Sequence, residues 1–357
     1  MAYTDRIERV RSMLEEQGWD GLIIERAINL AWLFGGRFHV NVAAEQGLAA
    51  VFISQQRIES AVSNIEQVRL AAEEGLSADS VHAYPWFDGA AREAVVRRWR
   101  EQGRVVTDSE AAEAMLRLRI RLDAEQVDAY RQLGRRTSWA VEEACRLARA
   151  EDTEADLAAR VAALCVAQGL DAVVLLAAGE RRAGLYRHPL PTSERLGRYA
   201  IVSLCARGSG LVAAATRTVA FAGLPEELAR RYDAVLRVEA RMLAATQPGV
   251  PLAEVVREAQ AAYAEQGFPD AWTEHHQGGL IGFQSREVRA DLEQSLPVPS
   301  LAAVAWNPSV AGAKAEDTFL ITASGREWLT GTHHYPQTQV RVDQVTLTRP
   351  WVLVKNA

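Results

Sequence analysis

Apolar and polar residues follow two different periods in the first part of the chain. Between residues 5 and 18 apolar side chains return every three or four positions, as at Ile7, Val10 and Leu14, which predicts an amphipathic helix. The short apolar run at residues 21–24 is typical of a buried strand. Two more short runs predict strands at residues 48–53 and 104–106. Helices that alternate with short buried strands predict a small α/β domain.

The order of the elements changes further along the chain. Helical spacing predicts four helices, at residues 124–150, 153–165, 225–246 and 251–266. Thr153 and Asp156 resemble a capping box at the start of the second of these helices. From Trp272 onward short strand-like runs and turns dominate. Helices packed on one face of an antiparallel sheet are the expected architecture here.

The length of the chain favours two domains, because 357 residues exceed the usual size of a single hydrophobic core. We expect a small α/β domain at residues 1–118. A larger domain follows at residues 119–357, with its strands and helices more segregated. The predicted fold class is therefore α/β with α+β character.

Composition and charge restrict the class of protein. With 48% hydrophobic and 24% charged residues, the chain is typical of soluble globular proteins. A net charge of −6 argues against a nucleic-acid partner, since such proteins collect Lys and Arg on one face. No run approaches the roughly 18 apolar residues of a membrane span, and no secretory leader is recognisable. The three cysteines show no pairing pattern, which favours reduced thiols in a cytoplasmic protein.

Several short motifs stand in a characteristic order in the second half of the chain. They are a strand-like run at residues 199–207, Thr-Arg-Thr at 216–218, His-His-Gln-Gly-Gly at 275–279, Asn-Pro-Ser at 307–309 and Glu-Asp-Thr at 316–318. This order and spacing resemble the creatinase, aminopeptidase P and prolidase family. Residues 6–24 are similar to the opening helix and first strand of that family. The resemblance implies a creatinase-type N-terminal domain followed by a pita-bread domain.

The resemblance also implies a degenerate metal site. Metallopeptidases of that family hold two divalent ions with two aspartates, one histidine and two glutamates. The matching positions here are Ser203, Ala214, His276, Asn307 and Glu316. Only the histidine and the glutamate of this set bind metals well. A pair of hard cations needs several carboxylates to neutralise and bridge it, and just one carboxylate is left. We therefore expect no metal at this site and no other cofactor.

Two pairs of adjacent histidines, at positions 275–276 and 333–334, offer another source of metal ligands. Neighbouring residues on an extended strand point to opposite faces. We therefore expect neither pair to bind one ion together, and the second pair fits a polar loop.

Two residues are candidates for catalysis. His188 lies in a segment that resembles the His-Tyr-x-Pro-Thr loop of the family, whose histidine lies against the substrate. Histidine titrates near neutral pH and can transfer a proton to a leaving nitrogen without a metal, although a histidine satisfied by backbone in a turn is the alternative. Glu316 is the carboxylate that remains at a former ligand position. If it is buried, it needs a cationic partner such as Lys314, Arg217 or a group of the substrate.

The predicted substrate-binding residues are polar or cationic. Arg286 resembles an arginine of creatinase that holds the substrate carboxylate, a task suited to the planar guanidinium, although an ion pair with Glu287 or Glu293 is the alternative. Four further residues are expected to orient the ligand: His276, Asn307, Ser203 and Thr216. Arg217, within the Thr-Arg-Thr motif, is expected to support the site rather than take part in chemistry.

Three functions remain open from the sequence. The first is a metal-independent hydrolase of a C–N bond in a small carboxylated substrate. Its mechanism would resemble that of creatinase, but creatine is disfavoured because Thr216 and Asn307 replace two creatinase carboxylates. The second is an inactive pita-bread module that binds a peptide or protein partner. The third is a metal-dependent Xaa-Pro peptidase that recruits Asp317 or Glu287 as ligands.

The expected ligand is a small molecule or short peptide, and the family resemblance implies a homodimer. In such a dimer the segment at residues 31–40, through Trp32, Phe38 and His39, would reach the site of the neighbouring subunit.

Overall fold

The computed structural model of the protein describes residues 2–332 and 334–355, so that His333 lies outside it. The chain divides into two compact units, Met1–Gln126 with Ser209–Leu211, and Val127–Gly208 with Val212–Ala357. A domain boundary near residue 118 stays a proposal.

The first part of the chain alternates helices and strands, as its apolar pattern predicts. The helices are α1 (Ala2–Gln17), α2 (Ala27–Phe34), α3 (Gln67–Glu73), α4 (Gly89–Arg100) and α5 (Ala112–Arg119). The strands are β1 (Gly21–Arg26), β2 (Gln46–Ile53), β3 (Ile58–Ser63), β4 (Ser80–Tyr84) and β5 (Val105–Thr107). Elements α1, β1, β2 and β5 confirm the helix and the three strands that the apolar pattern predicts. Helices α2 to α5 and strands β3 and β4 were not predicted.

These five strands form one mixed sheet in the order β4-β3-β2-β1-β5. Strand β1 is antiparallel to β2 and parallel to β5. Helix α4 packs its buried Trp99 on the sheet, where the ring stacks on Phe52 with centroids 5.7 Å apart. The indole Nε1 donates a hydrogen bond of 3.0 Å to Glu59. A buried aromatic pair with its polar atom satisfied anchors the helix to the sheet.

The expected reach of residues 31–40 towards a second subunit is wrong for two of its three residues. Trp32 and Phe38 are fully buried, and only His39 is partly exposed. Both aromatic rings are already covered within a single chain, because burying such large apolar surfaces is more favourable than presenting them to water.

The rest of the chain contains longer helices and many short strands. The helices are α6 (Ala124–Leu147), α7 (Glu154–Ala167), α8 (Glu180–Ala183), α9 (Glu226–Ala245) and α10 (Leu252–Glu265), with a 3-10 turn at Ala271–Glu274. The first strands are β6 (Asp171–Gly179), β7 (Tyr199–Gly208), β8 (Leu211–Phe221), β9 (Gly278–Ile281), β10 (Val288–Arg289) and β11 (Ala302–Trp306). The last strands are β12 (Ser309–Val310), β13 (Ala313–Lys314), β14 (Asp317–Thr322), β15 (Gly325–Trp328), β16 (Gln337–Val342), β17 (Val345–Pro350) and β18 (Leu353–Lys355).

Two larger sheets and two hairpins organise these strands. One sheet has the order β10-β9-β11-β14-β15 and the other β18-β8-β7-β6, while β12-β13 and β16-β17 pair separately. The four predicted helices correspond to α6, α7, α9 and α10. Thr153 and Asp156 form the predicted capping box, in which each residue accepts a hydrogen bond from the backbone of the other.

Candidate functional site

Strand alternation places three of the predicted residues side by side. Side chains two apart on a strand share a face, so Ala214 and Thr216 face the same side of β8. Ser203 on the neighbouring strand β7 meets Thr216 there, with 2.7 Å between the two hydroxyl oxygens. Thr216 donates to Glu316 at 3.2 Å, and its backbone N–H donates to the Glu316 carbonyl at 2.8 Å.

Glu316 is held between two cations. Its Oε1 accepts a hydrogen bond of 2.7 Å from Arg286, and its Oε2 lies 2.8 Å from the Lys314 ammonium. The side chain is almost fully buried. Burial alone would raise the pKa of this carboxyl group, but Lys314 and Arg286 outweigh it and hold the pKa well below its usual range. Glu316 is therefore ionised throughout the physiological range.

Lys314 is the partner of Glu316 that the sequence offered, whereas Arg217 is not. The Lys314 Nζ also lies 3.4 Å from the hydroxyl of Ser203. Its ammonium group thus lies among three residues that the family resemblance had singled out: Ser203, Thr216 and Glu316. Lys314 and Glu316 are two residues apart, and side chains with this spacing share a face of an extended segment.

The sequence missed His275 as a member of the site. Its Nε2 lies 3.0 Å from the Nε2 of His188, and its ring centroid lies 4.4 Å from that of His276. The expectation that His275 and His276 diverge is wrong. Both residues lie between the 3-10 turn and β9, which begins only at Gly278, so the alternation of a regular strand does not apply to them.

Two contacts hold the histidine cluster, defined as His188, His275 and His276. Arg187, next to His188, donates to Glu274, next to His275. On the other side Gln277 donates to the carbonyls of Trp272 and His275 and accepts a hydrogen bond of 3.0 Å from Tyr263 on α10. The Arg187–Glu274 contact joins the loop before β7 to the segment before β9, and Gln277 fixes the latter segment internally and against α10.

The imidazoles of the cluster are biased towards their neutral form. Burial, reinforced by the Lys314 charge, lowers the pKa of His275 to about 2. Burial and then the Arg286 charge lower the pKa of His276 to about 4. The pKa of His188 is lowered for the same first reason, although this residue is exposed. Neutral imidazole has one nitrogen that accepts a proton or binds a ligand.

Several buried polar atoms around these residues have no hydrogen-bond partner. They are His275 Nδ1, His276 Nδ1, Arg286 Nε, Asn307 Oδ1 and Ser309 Oγ, five of the thirteen such side-chain atoms found in residues 2–332 and 334–355. Buried polar groups are nearly always paired, so a concentration of unpaired ones indicates a place for a polar ligand or ordered water.

Arg286 is only partly available as a carboxylate anchor. One of its terminal nitrogens binds Glu316 and the other donates to the Ser285 carbonyl, which leaves Nε without a partner. Arg286 forms an ion pair with Glu316, a partner that was not among the two considered from the sequence.

A second layer of charges lies behind the site. Arg217 donates to Glu142 at 2.8 Å, to Asp317 at 3.0 Å and to the Thr330 carbonyl at 3.0 Å. Asp317 also accepts a bond of 2.7 Å from Arg349. Because Asp317 follows Glu316 directly, this layer fixes the start of β14. The contacts agree with the supporting role expected of Arg217, and they occupy both oxygens of Asp317, which leaves it unsuited as a metal ligand.

A small cavity adjoins Lys314. It is lined among others by Ser203, Ser309 and Lys314 and has a volume of about 30 Å³, far below the roughly 300–1,000 Å³ of usual ligand pockets. Among the described residues, no helix is both long and apolar enough to cross a membrane.

Comparisons with known proteins agree with this architecture. A model of the creatinase/prolidase N-terminal domain matches residues 6–133, and a model of metallopeptidase family M24 matches residues 128–323, more than half of the chain. The fold is that of the creatinase and prolidase class of pita-bread proteins. The chain belongs to metallopeptidase family M24, a family of hydrolases, which confirms the recognition made from its motifs.

Individual relatives are distant. An uncharacterised peptidase of Staphylococcus aureus strain MW2 is 31% identical over 126 residues, 34% of this chain, and the chain spans only 35% of the length of that relative. An Xaa-Pro dipeptidase from Bacillus anthracis superposes with a TM-score of 0.77 at 16% identity, covering 99% of this chain and 100% of the other. The N-terminal domain of the FACT complex subunit SPT16 from chickpea gives 0.72 at 13% identity, with coverages of 92% and 96%. Such structural likenesses show the fold alone.

The residues of this chain do not fit the dinuclear metal centre that the family name implies. Ser203, Ala214 and Asn307 supply no negative charge at three positions of the expected ligand set. Both oxygens of Glu316 are bound by cationic side chains, and the Lys314 ammonium lies beside the hydroxyl of Ser203. A divalent ion there would meet two fixed positive charges and a single carboxylate, whereas hard cations require several anionic oxygens.

Proposed function

We propose that the protein is a hydrolase that breaks a C–N bond in a small carboxylated substrate without the dinuclear centre of its metallopeptidase relatives. The observation that carries the proposal is the hydrogen-bonded pair His188–His275, which lies within reach of the charges of Lys314 and Arg286. Five buried polar atoms without a partner belong to His275, His276, Arg286, Asn307 and Ser309. A polar, anionic ligand would satisfy these groups, since buried polar atoms left unpaired are costly.

His188 is the proposed general acid and base. Its exposed ring can meet substrate, and its Nε2 shares a hydrogen bond with the Nε2 of the buried His275. In the neutral form His188 can accept a proton from an attacking water, and the resulting imidazolium can donate it to the leaving nitrogen. His275 is a positioning residue that holds the ring and its tautomer.

The cationic groups are proposed to receive the substrate carboxylate. Lys314 has a third donor beyond those directed at Glu316 and Ser203, and Arg286 has its free Nε. Glu316 is then a holding group for both cations rather than a proton donor, because its pKa lies well below its usual range. His276, Asn307, Ser203 and Thr216 keep their proposed role of orienting the ligand.

A screen of small carboxylated amides and amidines, together with Xaa-Pro dipeptides, tests the function. The relatives make the dipeptides worth including, since one of them is an Xaa-Pro dipeptidase. On the substrate that is turned over, we expect His188→Ala to lower kcat by about 10²–10⁴-fold, the usual range for a general acid–base residue. Dialysis against EDTA should leave the rate unchanged. Full activity of the variant would refute the role of His188.

A second candidate is a non-catalytic module that binds a peptide or protein partner. Two observations favour it: the cavity beside Lys314, at about 30 Å³, is far smaller than the roughly 300–1,000 Å³ of usual ligand pockets, and the same fold serves as a domain of a FACT complex subunit. No turnover in the whole screen, together with saturable binding of a peptide, would decide for this module. A metal-dependent Xaa-Pro peptidase is the third candidate, and it requires activity that EDTA abolishes.

We also propose a homodimer in the cytoplasm. The family resemblance supports the dimer, and three buried cysteines without a disulfide are compatible with a reducing compartment. Light scattering tests the dimer directly, and a monomeric mass would contradict it.

A further inference from the structure

The histidine cluster has the dimensions of a metal-binding site of a different kind from the one the family name implies. One nitrogen from each of His188, His275 and His276 can be chosen so that all three lie within 4.8 Å of one another. In tetrahedral sites Zn–N bonds of about 2.0–2.1 Å place ligand nitrogens about 3.3 Å apart. The His188 and His275 Nε2 atoms are already 3.0 Å apart, so small ring rotations would close the set.

We propose that His188, His275 and His276 bind one first-row transition-metal ion such as Zn²⁺ through nitrogen alone. Three protein ligands leave the fourth tetrahedral position open, as in other sites with three histidines. Because His188 is exposed, an ion has access to the cluster from solvent.

The surroundings of the cluster support this assignment. The Nδ1 atoms of His275 and His276 are buried and have no hydrogen-bond partner, so each ring has at least one uncommitted nitrogen. The Arg187–Glu274 ion pair joins the two segments, and the hydrogen bonds of Gln277 to the carbonyls of Trp272 and His275 fix the segment that carries His275 and His276. A cluster that is fixed before the ion arrives loses less conformational entropy on binding.

The nearby charges decide which ions are suited. Lys314 and Arg286 are positive and Glu316 offsets only one of them, so the region does not favour ions that bind by charge attraction to oxygen. Imidazole suits Zn²⁺, Co²⁺, Ni²⁺ and Cu²⁺, whereas Mg²⁺ and Mn²⁺ prefer carboxylate and water ligands. We therefore expect selectivity against the hard ions.

The site has a consequence for activity that rests on the proposed function. An ion bound to His188 occupies the lone pair with which the imidazole would accept a proton. Zinc is therefore expected to inhibit the hydrolase, and EDTA is expected to relieve the inhibition.

Cobalt titration of the metal-free full-length protein, followed by visible absorption, tests the site without any assay of activity. We expect about one equivalent of Co²⁺ to bind, with the d–d bands of a nitrogen-ligated ion of low coordination number. Zn²⁺ should displace the cobalt, and Mg²⁺ or Mn²⁺ at the same concentration should not. A wild-type protein that binds no cobalt would overturn the proposal.

Variants locate the ion. His188→Gln changes an exposed residue, and His275→Gln changes a buried one. Each should weaken Co²⁺ binding by more than about tenfold, the lower bound of what loss of a supporting outer-shell group alone produces. His82→Gln is the matched control, since His82 pairs with Glu59 elsewhere in the chain, and it should bind cobalt as the wild type does. Circular dichroism checks that each variant is folded.

Glu316→Gln separates this site from the carboxylate site of the family. If the ion sits on the histidines, this variant weakens cobalt binding only through the loss of a nearby negative charge, and by less than His188→Gln or His275→Gln does. Binding that Glu316→Gln abolishes and His188→Gln leaves intact would overturn the proposal. Cobalt binding with no hydrolysis of any substrate would refute the proposed function alone, and hydrolysis without cobalt binding would refute the metal site alone.

Discussion

At the scale of single residues the site is defined by how its charges are balanced. The family resemblance identified Ser203, Thr216 and Glu316, and the structure brings them into contact. Two cationic side chains now lie against the one carboxylate that remains. A buried carboxylate without such partners would be strongly unfavourable. Arg286 and Lys314 therefore allow Glu316 to stay ionised in the interior.

The Lys314–Glu316 pair should show energetic coupling. Removal of one partner leaves a buried charge less compensated, so we expect Lys314→Met to lower the free energy of unfolding by roughly 1–3 kcal/mol. In a double-mutant cycle with Glu316→Gln, measured by urea denaturation, the coupling should be at least about 1 kcal/mol. The exposed pair Arg117–Glu113 is the control, with an expected coupling of about 0.3–0.5 kcal/mol. Equal coupling in both pairs would contradict this account.

The histidines should make the protein sensitive to mild acid. In the folded state the pKa of His276 is lowered to about 4 and that of His275 to about 2, so the unfolded chain binds more protons below about pH 6.5. Above pH 6.5 both histidines are neutral in the folded and the unfolded chain, and the free energy of unfolding is at its full value. As the pH falls towards 4 and below, protonation of the unfolded chain lowers this free energy.

Urea midpoints at pH 7 and pH 5 measure this effect. The wild type should lose more stability between these two values than His276→Gln, which has no group to protonate at that position. The same loss in both proteins would show that other groups cause the acid sensitivity. Glu316 adds to acid sensitivity only below its ordinary pKa, because its own pKa is depressed.

At the scale of elements the long helices were predictable and their contacts were not. Helices α6, α7, α9 and α10 agree with the apolar periodicity to within a few residues. The points at which these helices contact other elements closely cannot be recognised from a repeating pattern in the sequence. In the middle of α6, Gly134 is an example, because a Cβ atom there would lie 2.2 Å from the carbonyl oxygen of Leu329.

Gly134→Ala should therefore destabilise the protein. In an open helix this change is favourable by up to about 1 kcal/mol, since glycine is a poor helix former. Here the added methyl group meets backbone, so we expect a loss of roughly 1–3 kcal/mol in urea denaturation. Gly89→Ala, at the start of α4, has no atom within 4 Å of its new Cβ and should be neutral or stabilising. A stabilised Gly134→Ala variant would show that the helix can shift.

At the scale of the molecule, buried ion pairs connect elements that are far apart in sequence. Arg217 on β8, Asp317 on β14 and Arg349 on β17 form a chain of contacts that reaches Glu142 on α6 and Glu239 on α9. All three of the first-named side chains are fully buried. The network behind the site thus depends on five elements of the second unit at once.

Asp317→Asn should be among the most destabilising conservative changes in the chain. The change keeps the shape of the side chain but removes the negative charge that Arg217 and Arg349 share. Breaking a buried ion pair in this way costs about 3–5 kcal/mol. Thermal and urea denaturation check the expectation. Asp233→Asn, in an exposed pair with Arg237, is the matched control and should change stability by no more than about 1 kcal/mol.

The sequence by itself determined the family and the longer helices, and it supplied candidate residues for the site. Periodicity is a local property, and the motifs keep their spacing, so α6, the Thr153 cap and the positions of Ser203 and Glu316 could be predicted. The tertiary structure alone decided that His275 joins His188, that Arg286 is bound to Glu316, and that Trp32 and Phe38 are buried. These outcomes depend on loops without a regular period and on pairs of residues 30 to 87 positions apart, whose meeting no local rule encodes.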